Sequence, residues 1–584
     1  MVQRMKRESS EAPAPRLRRA RSALACGLPG VLCLALAVLV GRPSAALDET
    51  GNEGYSPVEL ALRIDAAFAK KLAEAELEPA PLIDDAGFLR RAALDLRGSP
   101  PSGRETYAFL QDKSPDKRAK AIKRFLAESG YAEHWGDLWS RTLLGRTTMQ
   151  RRQAIRGFEQ WMEDQLAKNR PYDAMVRDIV TAEGAVDENG AAGYAFRYDA
   201  NPLELAANTS RHFMGVQIQC AQCHDHPYAD YKQKDFQAMA GYFGRIRRRI
   251  ERRREQRMAP RFHIIERKRG VLKLNKSGDP VRRPSDWGRS ITPGFIVPME
   301  GVEVSLDEGF RVAYAKLLTH PKNRYFAKLA VNRVWSWMFG RGLCNPVDDL
   351  EQGVSPHSAL LAELGEAFEA SGYDLKWLIE GIALSKTWQR DSRRSRRQED
   401  PAKVAKKARD SKDEDKRAAA ADRALLERML FARAELRPLT PEQLFRSVMQ
   451  GTGLEDLGEL RRRPGFRTIM RGVLRQFTFT FDNGVEGQVE EFSGTIPQAL
   501  LMMNGDFVNK AVEARVGNIH KIVETYKTPM ERIQWIYMSV LSRPPSRDEI
   551  RMAQRYLKAA GDNTQAYEDL AWVLFNSSEF LFNS

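Results

Sequence analysis

The sequence predicts a mainly α protein in which two helical domains are joined by a small β-containing connection. The first observation is a recurring helix-start signal. In it, Ser or Thr is followed three residues later by Glu or Gln, and the two side chains satisfy free N–H groups at a helix N-terminus. The second is apolar spacing of three or four residues behind such starts. The third is the scarcity of alternating apolar runs. The start signal pairs Ser56 with Glu59, Ser102 with Glu105, Thr440 with Gln443, and Ser546 with Glu549.

Two apolar stripes show the helical spacing most clearly, and each predicts one buried helix face. The first consists of Phe326, Leu329, Ala330, Val334, Trp335, Met338 and Phe339. The second, near the end of the chain, consists of Leu570, Val573, Leu574 and Phe580.

Strand candidates are confined to residues 262–306. The runs FHIIERKRGVLKL and GFIVPMEGVEVSL are rich in β-branched and aromatic residues and are bounded by glycine and proline. They predict a small sheet inside the connection between the helical domains.

The chain has 584 residues, which is too long for one ordinary core, so more than one domain is expected. We assign a signal peptide to 1–46, a first helical domain to 50–247, a basic and partly β linker to 248–310, and a C-terminal helical domain to 311–584. Residues 390–423 are charged and nearly free of large apolar groups. They cannot bury enough surface to offset the entropy of ordering, so we predict an exposed charged helix or a disordered excursion there.

The N-terminus predicts export. An apolar run from Ala23 to Val40 follows four arginines and precedes GRPSAALDE, whose small residues suit signal cleavage. Glycine and proline inside the run are typical of a cleaved signal, but its 18 residues are also long enough for an uncleaved anchor. We therefore expect a periplasmic or cell-envelope protein, which is membrane-anchored if the signal stays.

Positive charge is concentrated in one stretch. The formal net charge is +15, and residues 245–273 contain 13 Lys or Arg against 3 Asp or Glu. On an exported protein such a surface suits an acidic polysaccharide or a membrane surface, and no nucleic acid partner is expected. The simpler interpretation is a solvated helix face and loop.

One short stretch carries recognisable chemistry. Cys220-Ala221-Gln222-Cys223-His224 satisfies the pattern for covalent haem attachment. Two thiols three residues apart on a turn can reach the vinyl groups at one edge of the macrocycle, and the next residue places its imidazole under the iron. We therefore predict haem c bound through Cys220 and Cys223, with His224 as the proximal iron ligand. The remaining cysteines are Cys26, Cys33 and Cys344.

A haem iron that transfers electrons usually takes a second ligand from Met or His. The candidates are Met239, which lies 15 residues beyond His224 on a predicted helix, and His212. Core packing is the alternative explanation for each methionine. Further methionines available in the chain are Met214, Met502 and Met503.

Two other interpretations of the cysteine pair stay open. Zn²⁺ prefers four N or S ligands, which Cys220, Cys223 and His226 would supply with His212 as the fourth. A Cys220–Cys223 disulfide is also compatible with export. Haem attachment itself does not require Asp225 or His226. They would either form hydrogen bonds that orient the haem ligands or cap a turn.

The sequence resembles a known family over a longer stretch than the motif. MGVQIQCAQCHDHPYADYKQKDFQAMAGYF is similar to the signature of the planctomycete cytochrome c-like domain, a domain of unknown function numbered fifteen forty-nine. Upstream, RIDAAFAKKLAEAELEPAP, LRRAALDLRGSPPS and NRPYDAMVRDIV also match its pattern. Downstream, RVAYAKLLTHPKNRYFAKLAVNRVWSWMFGRGL, PVDDLEQGVSPHSALLAELGEAF and IPQALLMMNGDFV resemble the companion C-terminal family, fifteen fifty-three.

The resemblance covers most of residues 58–583 and implies a two-domain exported protein of cytochrome type, with the motif in the domain at 50–247. It does not account for the basic run at 245–273 or for the excursion at 390–423. The family pattern carries over to Cys220, Cys223, His224, Asp225, His226 and Pro227.

A second constellation also suits catalysis. Asp348 and Asp349 precede Ser355-Pro356-His357, and adjacent carboxylates with an imidazole can bind a metal or act as acid and base. The preferred interpretation is structural: Ser355 and Pro356 suit the N-cap and first position of a helix, which would place His357 in its first turn.

Three functions are therefore expected, in decreasing order of preference. The first is an exported c-type haem protein with a redox or electron-transfer role, whose electron partner the sequence does not identify, in envelope or polysaccharide metabolism. The second is a non-redox binding or scaffold protein with a structural Cys/His metal site or disulfide. The third is a metal-dependent hydrolase using Cys220 and His226, or Asp348 and His357. Whether the chain is an enzyme stays open.

Overall fold

The fold is described by a computed structural model. It covers residues 55–145, 152–251, 261–281, 287–393, 414–454 and 517–583, together with 474, 509 and 511–513. The predicted signal peptide, Met502, Met503 and residues 394–413 of the predicted excursion lie outside these ranges. The end of the excursion is helical from Glu414 onward.

Helices dominate the described chain, which confirms the prediction of a mainly α fold. The first ten helices are α1 (Pro57–Glu74), α2 (Asp85–Arg97), α3 (Gly103–Gln111), α4 (Lys117–Ala127), α5 (Ser129–Leu144), α6 (Arg152–Ala167), α7 (Tyr172–Thr181), α8 (Ala192–Arg197), α9 (Pro202–Met214) and α10 (Gln233–Gly241). The later ones are α11 (Phe310–Leu318), α12 (Phe326–Phe339), α13 (Ser358–Ala370), α14 (Leu375–Leu384), α15 (Glu414–Met429), α16 (Pro441–Thr452), α17 (Asn518–Thr525), α18 (Pro529–Leu541), α19 (Arg547–Ala560), α20 (Thr564–Phe575) and α21 (Ser578–Leu581). None of the helices in the described ranges is long and apolar enough to cross a membrane.

The predicted helix starts are confirmed at all four capping boxes, which begin α1, α3, α16 and α19. A fifth box, in which Thr528 and Glu531 cap α18, was not anticipated. The predicted cap at Ser355 is wrong. Its hydroxyl donates to the Leu343 carbonyl at 3.1 Å, and α13 begins only at Ser358, with His357 in the N-cap position.

Three small antiparallel sheets complete the described fold. The strands are β1 (Gly184–Ala185), β2 (Ile246–Glu251), β3 (Arg261–Glu266), β4 (Leu272–Leu274), β5 (Arg289–Ile291), β6 (Arg437–Pro438) and β7 (Phe582–Asn583). The first sheet has the order β1-β3-β2, while β4 pairs with β5 and β6 pairs with β7.

The strand predictions were half right. The run at 262–274 forms β3 and β4, but the run at 294–306 forms no strand, and β4 pairs instead with 289–291. Pro298 has no N–H to give to a ladder, and Gly301 turns the chain with a φ of +69°. The interpretation of the basic run as a helix face is also wrong at 246–251, because this segment pairs with β3 along its whole length.

One large hydrophobic core extends from Leu60 in α1 to Phe431 after α15, and a second one gathers α16–α21 with Leu94 of α2. Both apolar stripes need correction. Helix α12 is buried nearly all round, including Asn332 and Arg333, so the single predicted face was too narrow. In the second stripe Val573 is 56% exposed, and Phe580 belongs to α21 instead of α20.

Candidate functional site

The candidate site is the segment between α9 and α10, residues 215–232, which we call the CxxCH loop. The chain enters it at Gly215, where φ is +64° and where a Cβ atom would lie 2.9 Å from Leu350 Cγ. Glycine alone meets both conditions without strain. The Ser210 hydroxyl then donates to the Val216 carbonyl at 2.8 Å, so the course of the chain is fixed before the first cysteine.

Cys220 lies within a 3-10 turn at Gln219–Gln222, and Cys223 directly follows that turn. Ala221 between them is buried, and its N–H donates to the Ile218 carbonyl at 2.9 Å. Because the buried alanine anchors the turn, the neighbouring cysteines are left at the surface, and both are exposed free thiols. A cofactor or reagent can therefore reach both sulfur atoms.

His224 follows the second thiol and is exposed. Its Nδ1 lies 2.7 Å from the carbonyl oxygen of Asp225. Because a carbonyl can only accept, Nδ1 carries the proton and Nε2 keeps the lone pair that binds a metal. A backbone carbonyl behind the imidazole is a common way to orient a ligating histidine.

Local hydrogen bonds hold the rest of the loop. His226 Nδ1 accepts two backbone N–H groups of the following turn at 3.0 and 3.3 Å, and Gln233 Nε2 donates to the Cys223 carbonyl at 3.1 Å. The Gln233 N–H donates to Asp225 at 3.0 Å. This bond, and to a smaller extent the Lys232 ammonium, holds the pKa of Asp225 below its usual range. Asp225 and His226 thus fix the loop from within.

The two predicted distal ligands lie inside the protein. Met239 on α10 and His212 on α9 are both buried in the large core. His212 Nδ1 lies 3.3 Å from the Tyr194 hydroxyl, and burial, followed by the nearby Arg333, holds the pKa of His212 well below its usual range. Neither side chain is at the surface that carries the thiols.

The zinc interpretation needs Cys220, Cys223, His226 and His212 in one cluster. Across the described ranges, no three or more His, Cys, Asp or Glu side chains form a group that could hold a metal ion. His226 is partly exposed and His212 is buried.

A segment of the C-terminal half lies against the CxxCH loop; we call residues 348–351 the docking segment. The Leu350 N–H donates to the Gly215 carbonyl at 2.8 Å. Asp348 forms an ion pair with Arg211 of α9, and its carbonyl accepts from Gln217 Nε2 at 3.5 Å. Asp348, which the sequence suggested as a catalytic or metal-binding carboxylate, therefore helps to hold the entry of the loop.

Glu351 fastens the other end of the loop. Its Oε1 accepts the hydroxyl groups of Tyr231 and Tyr325, the latter at 2.7 Å, and Arg324 donates to the Tyr325 hydroxyl at 3.0 Å. The Tyr231 carbonyl in turn accepts the His226 N–H at 2.8 Å. Burial, followed by the Glu351 carboxylate, raises the pKa of both tyrosines. Sequence reasoning missed this cluster because Tyr231 and Glu351 are 120 residues apart and no local spacing links them.

We expect Glu351→Ala to loosen the loop. Loss of a charge-assisted bond at a partly exposed site should speed hydrogen–deuterium exchange of the His226 amide roughly fivefold. The measurement is exchange mass spectrometry on the full chain without cofactor. Glu351→Gln is the matched control, since its amide oxygen still accepts a hydroxyl. Equal exchange in all three proteins would show that Glu351 does not hold the loop.

The residues of the hydrolase hypothesis have separate partners. Asp348 is paired with Arg211, and Asp349 Oδ1 accepts a backbone N–H at 3.0 Å. His357 is buried, with Nε2 at 2.7 Å from the Met429 carbonyl.

Two regions of the chain match known protein families. Residues 63–248 match PSCyt2, a protein family of unknown function (DUF1549), and residues 310–557 match PSD1, also of unknown function (DUF1553). No curated protein and no solved structure matches the chain. The protein is therefore a mainly helical protein that combines regions of two families. The CxxCH loop lies in the first region and the docking segment in the second. It is a PSCyt2–PSD1 protein, with both families in the order that the sequence resemblance indicated.

Proposed function

We propose that this chain is an exported redox protein that carries one haem c at the CxxCH loop. Cys220 and Cys223 would hold the macrocycle through two thioethers, and His224 Nε2 would be the proximal ligand. A haem held in this way supplies one-electron chemistry between the ferrous and ferric states.

The observation that carries the proposal is the combination of two exposed free thiols and an oriented imidazole on one turn. A structural cysteine pair is usually buried, whereas both thiols here are at the surface, where an attachment reaction can reach them. The donor set therefore fits the group, because the two sulfur atoms and His224 Nε2 are all free to bond.

The chain's own residues keep the site in one geometry. The buried Ala221 sets the turn, and the Asp225 carbonyl sets the tautomer and orientation of His224. The docking segment holds both ends of the loop. Met239 and His212 are enclosed in the core, so a second iron ligand from either one would require the protein to rearrange.

The decisive experiment is expression of the full chain in a bacterial host that matures c-type cytochromes. The purified protein should show a Soret band, keep its pigment in acid–acetone, and exceed the mass of the mature polypeptide by one haem. The same intact mass reports whether the predicted signal peptide has been removed.

A cysteine-specific control is available within the chain. Cys220→Ala with Cys223→Ala should abolish the pigment, whereas Cys344→Ala should keep it, because Cys344 lies outside the motif and is buried. If the wild-type protein is colourless and contains stoichiometric zinc, the haem proposal is wrong and the cysteine pair belongs to a structural metal site. Colourless protein with two titratable surface thiols and no metal would leave the scaffold hypothesis.

A further inference from the structure

Arginines recur at every second position from Arg245, just before β2, to Arg249 within it. Successive side chains of a strand point to opposite faces, so Arg245, Arg247 and Arg249 share one face, while the buried Ile246 lies on the other. The Arg267 N–H donates to the Arg245 carbonyl at 3.0 Å, which continues the pairing of β2 with β3 and sets Arg267 opposite Arg245. We call these four arginines the arginine face.

The arginine face is ordered without carboxylates. Arg247 Nη1 donates to the Gly244 and Ile246 carbonyls at 3.0 and 2.6 Å. Arg245 Nε donates to the Gly270 carbonyl at 3.0 Å, and its guanidinium stacks 3.6 Å from the centre of the Phe310 ring. Among the residues that the structure describes, no carboxylate forms a salt bridge with any of the four arginines.

Two neighbouring arginines, unlike those of the arginine face, form salt bridges with carboxylates. Arg248, on the opposite face of β2, pairs with Asp199. Arg261, at the start of β3, pairs with Asp187 and Glu188. The fold therefore pairs Arg248 and Arg261 with carboxylates, whereas among the described residues it gives the arginine face none.

The charge continues into the turn after β3. Lys268 and Arg269 follow Arg267, and all three side chains are exposed. Burial, followed by repulsion from Arg267, lowers the pKa of Arg247. Like charges held this close cost stability, and the cost is repaid when an anion binds between them.

We propose that the arginine face and the turn after it bind an acidic polysaccharide, with guanidinium groups pairing to sugar carboxylates. Arginine presents a planar fork that matches a carboxylate. Side chains two residues apart on a strand repeat about every 6.8 Å, so the cations form a row. A row suits an extended polymer with regularly spaced charges. This proposal does not depend on haem.

Within the described residues, the row of cations on β2 is followed by a carboxylate. Glu251 is the last residue of β2 on this side, and it accepts from His263 Nε2 at 2.7 Å. Among the described residues, the proposed path runs from Arg249 toward Arg267 and the turn.

The test is binding of the full chain to polygalacturonate, measured by isothermal titration at low salt. The triple variant Arg249→Gln/Arg267→Gln/Arg269→Gln should bind about tenfold more weakly, because it removes three exposed cations that would pair with sugar carboxylates. Binding should also weaken as salt rises. Arg249→Gln alone should show a smaller loss, which keeps the test valid if the triple variant is unstable.

The matched control is Arg551→Gln/Arg555→Gln/Lys558→Gln on α19, which removes the same net charge from other exposed cations. It should bind nearly as well as the wild type. Equal losses in both triple variants would reduce the effect to net charge and overturn the proposal. Absence of polygalacturonate binding, alone or alongside binding to anionic vesicles or duplex DNA, would overturn it as well.

Discussion

Replacing Asp95 with alanine is expected to lower the free energy of unfolding by about 3–5 kcal/mol, because it leaves a cation in a buried site without its partner. The Asp95 side chain is 2% exposed. Arg437 Nη2 donates to both of its oxygens, at 2.9 and 2.6 Å, and Asn583 Nδ2 donates to Oδ1 at 2.7 Å. These partners lie on β6 and β7, so a single carboxylate of α2 holds the sheet at the end of the chain.

Urea denaturation of the variant and the wild type measures this loss. Asp116→Ala is the matched control, since Asp116 and Lys120 form an ion pair in which the side chains are 56% and 64% exposed. Its cost should stay within about 1 kcal/mol. The double variant Asp95→Leu/Arg437→Met, which removes both charges, should be milder than Asp95→Ala. Similar small costs for Asp95→Ala and Asp116→Ala would contradict a structural role for the buried pair.

Acidification from pH 7 to 4 is expected to remove about 3 kcal/mol of stability through His357 alone. Burial lowers the pKa of His357 to about 4. Its Nε2 carries the proton toward the Met429 carbonyl at 2.7 Å, and its Nδ1 lies 3.2 Å from Lys71 Nζ, so a second proton would face an ammonium group. The folded-state pKa lies below the unfolded one. The contribution of neutral His357 to the free energy of unfolding is therefore complete above about pH 6.5 and is lost as the pH falls toward 4.

Comparison of His357→Gln with the wild type at pH 7 and pH 4.5 isolates this contribution. The variant should be the less stable protein at pH 7, and the difference in unfolding free energy should shrink at pH 4.5. Burial shifts the pKa of His134 and His212 in the same direction, so the variant should keep part of the acid sensitivity. A difference that is the same at both pH values would contradict the assignment to His357.

Local sequence signals predicted local structure well. Capping boxes depend on residues only three positions apart, and all four that were predicted begin helices. Ser355 failed because the competing acceptor, the Leu343 carbonyl, comes from outside the local sequence. The strand prediction failed at 294–306 for a similar reason, since pairing partners are chosen in three dimensions and Pro298 withdraws a donor.

The candidate site was predictable only in part. Cys220, Cys223 and His224 lie within five consecutive residues, so the sequence alone shows the motif. The structure places the motif at an exposed turn, which agrees with an accessible site. The contacts of Glu351 and Asp348 with the loop depend on tertiary packing across more than a hundred residues, which no periodicity or spacing reports. The assignment of haem stays a prediction.

The docking segment has an evolutionary consequence. The PSCyt2 region contains Cys220, Cys223 and His224, while the PSD1 region contributes groups that hold both ends of the CxxCH loop. Recombination that joined the first region to a foreign partner would leave the loop without those supports. The two halves should therefore be inherited and lost together, and a lineage that changes Glu351 should also change Tyr231.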